Sequence, residues 1–311
     1  MIHKYKMNDL NIVLDVNSGS VHCVDDISYD ILDYYEKESI ENIINILKEK
    51  YSEESINEAY EEIKELVDNE VLFSPDIFSN IIPEVDKRNP VVKALCLHIA
   101  HDCNLKCKYC FAEEGEYHGK RSLMSVEVGK KAIDFLIENS GSRRNLEIDF
   151  FGGEPLMNFD VVKEIVEYGR SIEDKYGKKF RFTMTTNGIL LNDEIASYIN
   201  EHMHNAVLSL DGRKEINDKM RVRAGGQGSY DNIVPKFVKM AEDRNQMDYY
   251  VRGTFTRNNL DFANDVLHLA DLGFKQISVE PVVTDENEEY AIRKEDLPVI
   301  FEEYEKLAKE M

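Results

Sequence analysis

Three of the chain's five cysteines lie within eight positions. Cys103, Cys107 and Cys110 are four and then three residues apart in the stretch "HDCNLKCKYCFA". Thiolates that are clustered in this way bind zinc or an iron–sulfur cluster. A four-iron cluster normally takes four protein ligands, so three thiolates would leave one iron open to a ligand from outside the protein. We therefore predict a metal centre at these three cysteines and favour a four-iron cluster.

Zinc is the alternative at this loop. His101 or His118 could complete a tetrahedral site with the three cysteines. Zinc does not account for the motifs that follow the next three predicted strands, so the cluster is the favoured interpretation. Cys23 and Cys96 lie inside predicted strands, where we expect buried structural thiols.

An alternation of strand and helix from residue 93 onward predicts the elements that position these residues. Six repeated units predict a parallel sheet in an α/β fold, either an open partial barrel or a doubly wound sheet, with the site at the carboxyl ends of the strands. The predicted strands are "KALCLHIA", "LEIDFFGG", "FRFTMTTNG", "NAVLSLDG", "YYVRGTFTR" and "QISVEPV", and helical patterns begin near Ser125, Asp160, Asn192, Ser229, Asp261 and Lys294. The cysteines follow the first strand, and "GGEP", "TTNG" and "SLDG" end the next three, so all four motifs are predicted to share one edge.

The spacing CxxxCxxC after the first strand of such a series, with Tyr109 between two of the cysteines, resembles the signature of radical S-adenosylmethionine (SAM) enzymes. The resemblance implies a partial (β/α)6 TIM-like barrel over residues 93–311 and one [4Fe-4S] cluster on Cys103, Cys107 and Cys110. It also implies that SAM binds the open iron and is cleaved by one electron to methionine and a 5'-deoxyadenosyl radical. The cofactors carry this chemistry, while the protein orients them and excludes water.

The same resemblance assigns residues to SAM. Tyr109 lies where the family places an aromatic side chain beside the adenine. "FFGGEPLM" resembles the family's second motif, in which Glu154 offers a carboxylate to the ammonium group of SAM. Gly152 and Gly153 lack side chains, so their backbone could approach a ligand closely.

The remaining SAM contacts are predicted at the next two strand ends. Ser209, Asp211 and Arg221 resemble the arrangement in peptide-modifying radical enzymes, where a serine binds the ribose and an arginine the carboxylate. Arg223 is a competitor for the role of Arg221. Thr186 and Asn187 in "TTNG" are predicted polar contacts, although the same four residues would also form an ordinary turn.

The first 80 residues are predicted to form a separate, acidic module. They hold 19 Asp and Glu against 6 Lys, a net charge of −13 out of −22 for the chain. Three short alternating segments, followed by helical patterns that begin near Ser28, Ser39 and Ser52, predict a small winged-helix α+β domain over residues 1–80 and a linker over residues 81–92. The charge has the wrong sign for nucleic acid and would suit a basic partner, although solubilising surface charge explains it equally well.

This order of elements resembles the leader-recognition domain (RRE) with which maturases of ribosomally made peptides hold a precursor. The resemblance implies that a leader adds as a strand at residues 20–25 and packs on residues 54–68. "NIVLDVNSGSVHCVDD" and "ALCLHIAHDCNLKCKYCFA" make the whole chain resemble the amino-terminal part of SCIFF maturases, which form thioether cross-links in Cys-rich peptides. The implied reaction abstracts hydrogen from an acceptor Cα, to which a peptide cysteine sulfur then bonds, and it needs an electron donor.

SCIFF maturases continue into a SPASM or twitch domain with further cysteines, so we expect this chain to be a fragment or truncated product whose catalytic base lies elsewhere. Two other interpretations stay open: a radical enzyme of the sulfatase-activating type, and a non-catalytic peptide-binding or zinc-binding protein. No signal-peptide pattern follows Met1 and no run of eighteen apolar residues occurs. We therefore expect a cytoplasmic protein that binds neither membrane nor nucleic acid.

Overall fold

The computed structural model describes residues 1–79 and 91–311, which fall into two compact units, one before residue 80 and one after residue 90. Most of the predicted linker, residues 81–92, lies outside the described residues. The domain bounds at residues 80 and 93 therefore stay predictions. No helix within the described ranges is both long and apolar enough to cross a membrane.

The first unit packs an antiparallel three-stranded sheet, whose strands lie side by side in chain order, against three helices. Ser39 and Ser52 cap the second and third helices as expected, but the first helix begins before Ser28 because Asp25 accepts a hydrogen bond from the Ser28 amide. The elements are β1 Ile2–Met7, β2 Leu10–Asp15, β3 Val21–Val24, α1 Asp26–Ile31, α2 Ile40–Leu47 and α3 Glu53–Asp68. The predicted order of strands and helices agrees with this unit, and its assignment as a winged helix stays a prediction.

The second unit is built on the six predicted strands, which lie side by side, parallel and in chain order. The six are β4 Ala94–His101, β7 Asn145–Gly152, β8 Lys179–Thr186, β9 Asn205–Ser209, β11 Tyr249–Phe255 and β12 Ile277–Pro281. A doubly wound sheet would reverse its strand order at one point, whereas this sheet is extended in one direction as in a barrel. The prediction of an α/β partial (β/α)6 TIM-like barrel is confirmed.

Helices connect these strands and bury one face of the sheet. On β7, Leu146, Ile148 and Phe150 are completely buried in the core. The helices are α4 Val126–Asn139, α5 Phe159–Tyr176, α6 Asp193–His202, α7 Lys214–Met220, α8 Tyr230–Asp243, α9 Phe262–Asp271 and α10 Leu297–Glu310. Because side chains alternate along a strand, the neighbouring residues on β7 face the opposite side.

Two predictions about cysteines outside the loop are wrong. Cys23 and Cys96 are exposed rather than buried. Cys96 lies on β4 between Leu95 and the buried Leu97, so its side chain points to the face of the sheet opposite the helices. A parallel sheet covered on both faces would have buried this thiol.

The sequence patterns also missed short elements beside the cysteine loop. Two three-residue strands, β5 Leu105–Cys107 and β10 Arg221–Arg223, pair antiparallel, with Cys107 opposite Arg221. A two-residue strand, β6 Ser122–Leu123, pairs antiparallel with β4. The helix α7, which precedes β10, was not predicted either. These elements matter because they bring the segment around Arg221 next to the cysteines.

Candidate functional site

One cavity at the carboxyl ends of β4, β7, β8 and β9 brings together the four motifs. All three cysteines of the loop face it, together with each predicted SAM contact except Asp211. Its lining comprises Cys103, Leu105, Cys107, Tyr109, Cys110, Phe111, Ala112, Gly115, Phe151, Gly152, Gly153, Glu154, Pro155, Thr185, Thr186, Asn187, Ser209 and Arg221. Residues far apart in sequence therefore share one site, as the predicted strand order requires.

The three cysteines of the loop are half-buried. Cys103 Sγ accepts hydrogen bonds from the amide of Leu105 at 3.4 Å and from Asn187 Nδ2 at 3.6 Å. Burial raises the pKa of Cys103 to about 12 and that of Cys107 to about 11. Such thiols ionise readily only beside a positive charge, which bound iron would supply.

The two histidines that the zinc alternative needs make other contacts. Nδ1 of His118 lies 2.8 Å from a carboxylate oxygen of Glu113, and Nε2 of His101 lies 3.4 Å from Nδ1 of His98. Neither histidine lines the cavity. Among the residues described, no group of three or more His, Cys, Asp or Glu side chains, the three cysteines included, is placed to hold a metal ion as the side chains stand. It is the other contacts of the two histidines that favour the cluster over zinc as an interpretation of the loop.

Glu154 is a fully buried carboxylate at the edge of the cavity. It accepts hydrogen bonds from the amides of Leu156 at 3.0 Å and Asn187 at 2.7 Å, and from the Thr186 hydroxyl at 2.8 Å. Burial raises its pKa, while these three donors stabilise the charged form. The hydroxyl of Thr186, predicted to contact SAM directly, is therefore directed at Glu154 and holds that carboxylate in place.

Asn187 connects this carboxylate with the cysteine loop. Its backbone amide binds Glu154, and its side-chain nitrogen donates to Asn104 Oδ1 at 2.8 Å as well as to Cys103. One residue after β8 thus touches two of the predicted motifs. This contact gives Asn187 a place beside the predicted cluster ligands.

Tyr109, Asp211 and Arg221 form a hydrogen-bonded group at the wall of the cavity. The Tyr109 hydroxyl donates to both carboxylate oxygens of Asp211, at 2.9 and 2.7 Å, and accepts from Arg221 Nη1 at 2.8 Å. Asp211 is fully buried and also accepts from the amide of Thr254 at 3.1 Å. Asp211 therefore lies behind Tyr109 and Arg221 instead of facing the cavity.

The guanidinium of Arg221 is placed to bind a negatively charged ligand in the cavity. Arg221 lines the cavity, whereas its competitor Arg223 does not. Its side chain is only 10% exposed, and its Nε atom is buried with no hydrogen-bond partner among the described residues. A buried donor without a partner is costly, so a carboxylate that binds there would be stabilised. The residues present fit a cluster and SAM, with three thiols, a buried carboxylate and a buried guanidinium around one cavity.

The glycines of "GGEP" have a packing role that sequence reasoning missed. A Cβ atom on Gly153 would lie 2.1 Å from the carbonyl oxygen of Asp102, and one on Gly152 would lie 2.5 Å from that of Ala100. The amide of Glu154 donates to the same Asp102 oxygen at 2.9 Å. Both glycines line the cavity, and their lack of side chains lets the cysteine loop pack on the end of β7.

A family model matches the part of the chain that contains this site. Residues 97–242 match the family model of the Radical SAM superfamily. The chain is 27% identical over 191 residues to the radical SAM cyclopropyl synthase TigE of Paramaledivibacter caminithermalis, covering 58% of this chain and 39% of TigE. The chain spans less than two thirds of the length of the curated relatives that it matches.

Two solved structures share the fold at low sequence identity. Native anSMEcpe with bound AdoMet and the Kp18Cys peptide superposes with a TM-score of 0.61 at 21% identity, covering 71% of this chain and 60% of that one. SuiB of Streptococcus suis bound to S-adenosylmethionine superposes with a TM-score of 0.53 at 16% identity, covering 96% of this chain and 67% of that one. The second alignment extends over nearly the whole chain.

Proposed function

We propose that this chain, which carries a radical SAM domain in residues 97–242, modifies a ribosomally made, Cys-rich peptide by forming a thioether between a cysteine sulfur and a Cα atom. One observation supports the proposal above all: three thiols, a buried carboxylate and a buried guanidinium face one cavity. Cys103, Cys107 and Cys110 would hold a [4Fe-4S] cluster, which together with SAM would supply the one-electron cleavage that yields a 5'-deoxyadenosyl radical.

The chain's own residues would orient SAM. Glu154 accepts from its ammonium group, and Arg221 pairs with its carboxylate. Ser209 binds the ribose, and the Tyr109 ring lies beside the adenine. The support for this assignment is that all four side chains line the cavity that the cysteines share.

The first unit would hold the leader of the peptide. β3 hydrogen-bonds to β2 alone among the described strands, so its other edge is free to pair with an added strand. The predicted leader site at residues 20–25 and 54–68 corresponds to this edge and to most of α3. AdoMet and a peptide are bound together in the anSMEcpe structure, which supports a peptide as the substrate class here.

Anaerobic reconstitution tests the proposed centre. We expect a brown protein with four irons that cleaves SAM to methionine and 5'-deoxyadenosine under reductant, and a Cys107→Ala variant that has lost both properties. A Cys96→Ala variant is the matched control, because Cys96 does not line the cavity and should keep both. A colourless protein with one equivalent of zinc, or full SAM cleavage by Cys107→Ala, would contradict the proposal.

Mass spectrometry tests the proposed product. Thioether formation replaces one C–H and one S–H bond of the peptide with a C–S bond. One hydrogen atom would leave as part of 5'-deoxyadenosine, and the other would leave as a proton and an electron, which an oxidised iron–sulfur protein or similar one-electron acceptor would have to take. Each cross-link should therefore lower the mass of a Cys-rich precursor by two hydrogens. Alkylation should show one fewer free thiol for each cross-link. Production of 5'-deoxyadenosine with precursor of unchanged mass would contradict thioether formation.

A further inference from the structure

The free edge of β3 borders a groove in the first unit that is lined by both apolar and polar side chains. The groove has a volume of about 490 Å³ and is lined by residues 21–25 along one side and by Ile63 and Leu66 of α3 along the other. Val21 is 66% exposed on β3, although it is a large apolar side chain. An unpaired strand edge beside exposed apolar surface is typical of a site that an extended peptide fills.

The helix that borders this groove is strongly acidic. α3 carries seven Asp and Glu against one Lys. The single basic residue, Lys64, pairs with Glu61 at 3.3 Å. Glu58, Glu62 and Glu65 recur at helical spacing on one side of α3, and Glu62 itself lines the groove.

These carboxylates are not used inside the unit. Glu58, Glu62 and Glu65 are exposed and make no ion pair with any residue in the described ranges. Like charges at this spacing on one helix face repel each other and destabilise it slightly. Glu62 lines the groove, and Glu58 and Glu65 lie one helical turn to either side of it on the same helix. A bound cation-bearing partner would relieve the repulsion among them.

We propose that the segment that docks beside β3 is basic: an extended peptide whose apolar side chains enter the groove while Lys or Arg side chains reach Glu58, Glu62 and Glu65. This inference rests on the proposed leader-binding function and deepens it by specifying the chemistry of the leader. Main-chain hydrogen bonds with β3 and apolar contacts in the groove supply affinity. The carboxylates of Glu58, Glu62 and Glu65 select among peptides by charge.

Fluorescence anisotropy on the full chain tests this selection. The probes are three fluorescein-labelled ten-residue peptides that share alternating valines and carry Lys, Ser or Glu at the other positions. We expect the Lys peptide to bind roughly ten-fold more tightly than the Ser peptide and the Glu peptide to bind most weakly. Added salt should reduce the difference, because exposed charge pairs are screened.

Two double variants distinguish the effect of the carboxylates on α3 from the effect of general surface charge. Glu58→Gln with Glu62→Gln should weaken binding of the Lys peptide by roughly three- to ten-fold and leave the Ser peptide unchanged, since each exposed pair contributes up to about 1 kcal/mol. Glu36→Gln with Glu49→Gln, at exposed positions that do not line the groove, is the matched control and should change neither.

The outcomes distinguish this inference from the function on which it rests. Equal binding of the Lys and Ser peptides would overturn the basic leader but leave leader binding intact. If both double variants lost the same affinity for the Lys peptide, the role of Glu58 and Glu62 would be overturned, because net charge alone would then explain the attraction. Absence of binding by all three peptides would overturn the proposed leader site itself.

Discussion

The hydroxyl of Tyr109 lies between the buried carboxylate of Asp211 and the buried guanidinium of Arg221. Arg221 Nη1 already forms an ion pair with Asp211 Oδ1 at 3.7 Å, and without this hydroxyl we expect the two groups to close to hydrogen-bond distance. The arginine would then turn away from the cavity that it lines. The structure thus adds an orienting role to a side chain that the sequence predicted only as an aromatic contact for adenine.

A Tyr109→Phe variant tests this role. We expect SAM to bind roughly ten-fold more weakly, since one charge-assisted hydrogen bond contributes about 1.5 kcal/mol or more. Iron content should stay unchanged because the thiols are intact. Calorimetric titration with SAM and iron analysis measure the two quantities.

Tyr290→Phe is the matched control, because the Tyr290 hydroxyl donates to the carbonyl of Lys108 at 3.0 Å, on the outside of the same loop. SAM affinity in this variant should equal that of the parent protein. Unchanged SAM affinity in Tyr109→Phe would contradict the orienting role of the hydroxyl.

At the scale of elements, the end of β7 fixes the position of the cysteine loop. Gly153→Ala would place a methyl group 2.1 Å from the carbonyl oxygen of Asp102, next to Cys103. Backbone atoms cannot move as side chains do, so we expect the loop to shift, the unit to lose about 1 to 3 kcal/mol of stability and iron binding to fall. Iron analysis after reconstitution and thermal unfolding measure these effects.

Gly177→Ala provides the comparison. Gly177 has a φ of +62°, and its Cβ would meet no atom within 4 Å. The change should cost about 1 kcal/mol through backbone strain while iron binding stays normal. A Gly153→Ala protein with normal iron content would show that the loop does not depend on this close packing.

In the first unit, Asp15 at the end of β2 ties the sheet to the segment after α3. It accepts hydrogen bonds from the Ser74 amide at 2.8 Å, the Ser74 hydroxyl at 3.0 Å and the Asn17 amide at 2.9 Å. Burial raises the pKa of Asp15, but these hydrogen bonds outweigh burial and hold the pKa below its usual value. The charged form is therefore the one that stabilises the fold.

This direction sets a pH dependence. A lowered pKa contributes stability above the unfolded-state value of about 4, and the contribution is lost as pH falls through the folded-state pKa. Asp15→Asn should therefore weaken amide hydrogen-exchange protection of β2 by about 1 to 3 kcal/mol near neutral pH. The difference from the parent protein should shrink below about pH 4. A difference that is constant with pH would contradict the role of the charge.

Parallel strand order made most of the site predictable. Cys103, Glu154, Thr186 and Ser209 each follow or end one of four successive strands, and the carboxyl ends of such strands lie at one edge. Each of these positions could be inferred from local apolar runs alone. Because each of the four motifs falls at the end of a predicted strand, the sequence indicated that all four lie at one edge of the sheet.

Other parts of the site depended on contacts that carry no local pattern. The pairing that sets Arg221 opposite Cys107 uses three-residue strands from distant parts of the chain, too short for any periodicity. The position of Asp211 behind Tyr109 depends on which way one side chain points after β9 ends. The exposure of Cys96 depends on which face of the sheet the helices cover.

At the scale of the whole molecule, more than half of the net negative charge lies in the first 80 residues, whereas the candidate SAM site lies in the second unit. The first 80 residues carry −13 of the net charge of −22. The thiols, Glu154 and Arg221 all lie in the second unit, and the groove beside β3 lies in the first. If the first unit recognises the peptide and the second cleaves SAM, a change in the groove should affect only the reaction of the peptide.

A Leu66→Asp variant tests this division. Leu66 lines the groove, and a carboxylate there would disfavour apolar side chains of a docked strand. We expect modification of a Cys-rich precursor to fall at least roughly ten-fold, since burying an unpaired charge costs more than 1.4 kcal/mol. Iron content, and SAM cleavage measured without peptide, should equal those of the parent protein.

Ile46→Asp is the matched control in the same unit, because Ile46 is 45% exposed on α2 and does not line the groove. It should leave precursor modification unchanged, and circular dichroism should show that both variants are folded. Loss of peptide-independent SAM cleavage in a folded Leu66→Asp protein would mean that the first unit takes part in the cofactor chemistry. Full precursor modification by the same variant would instead remove the groove from substrate recognition.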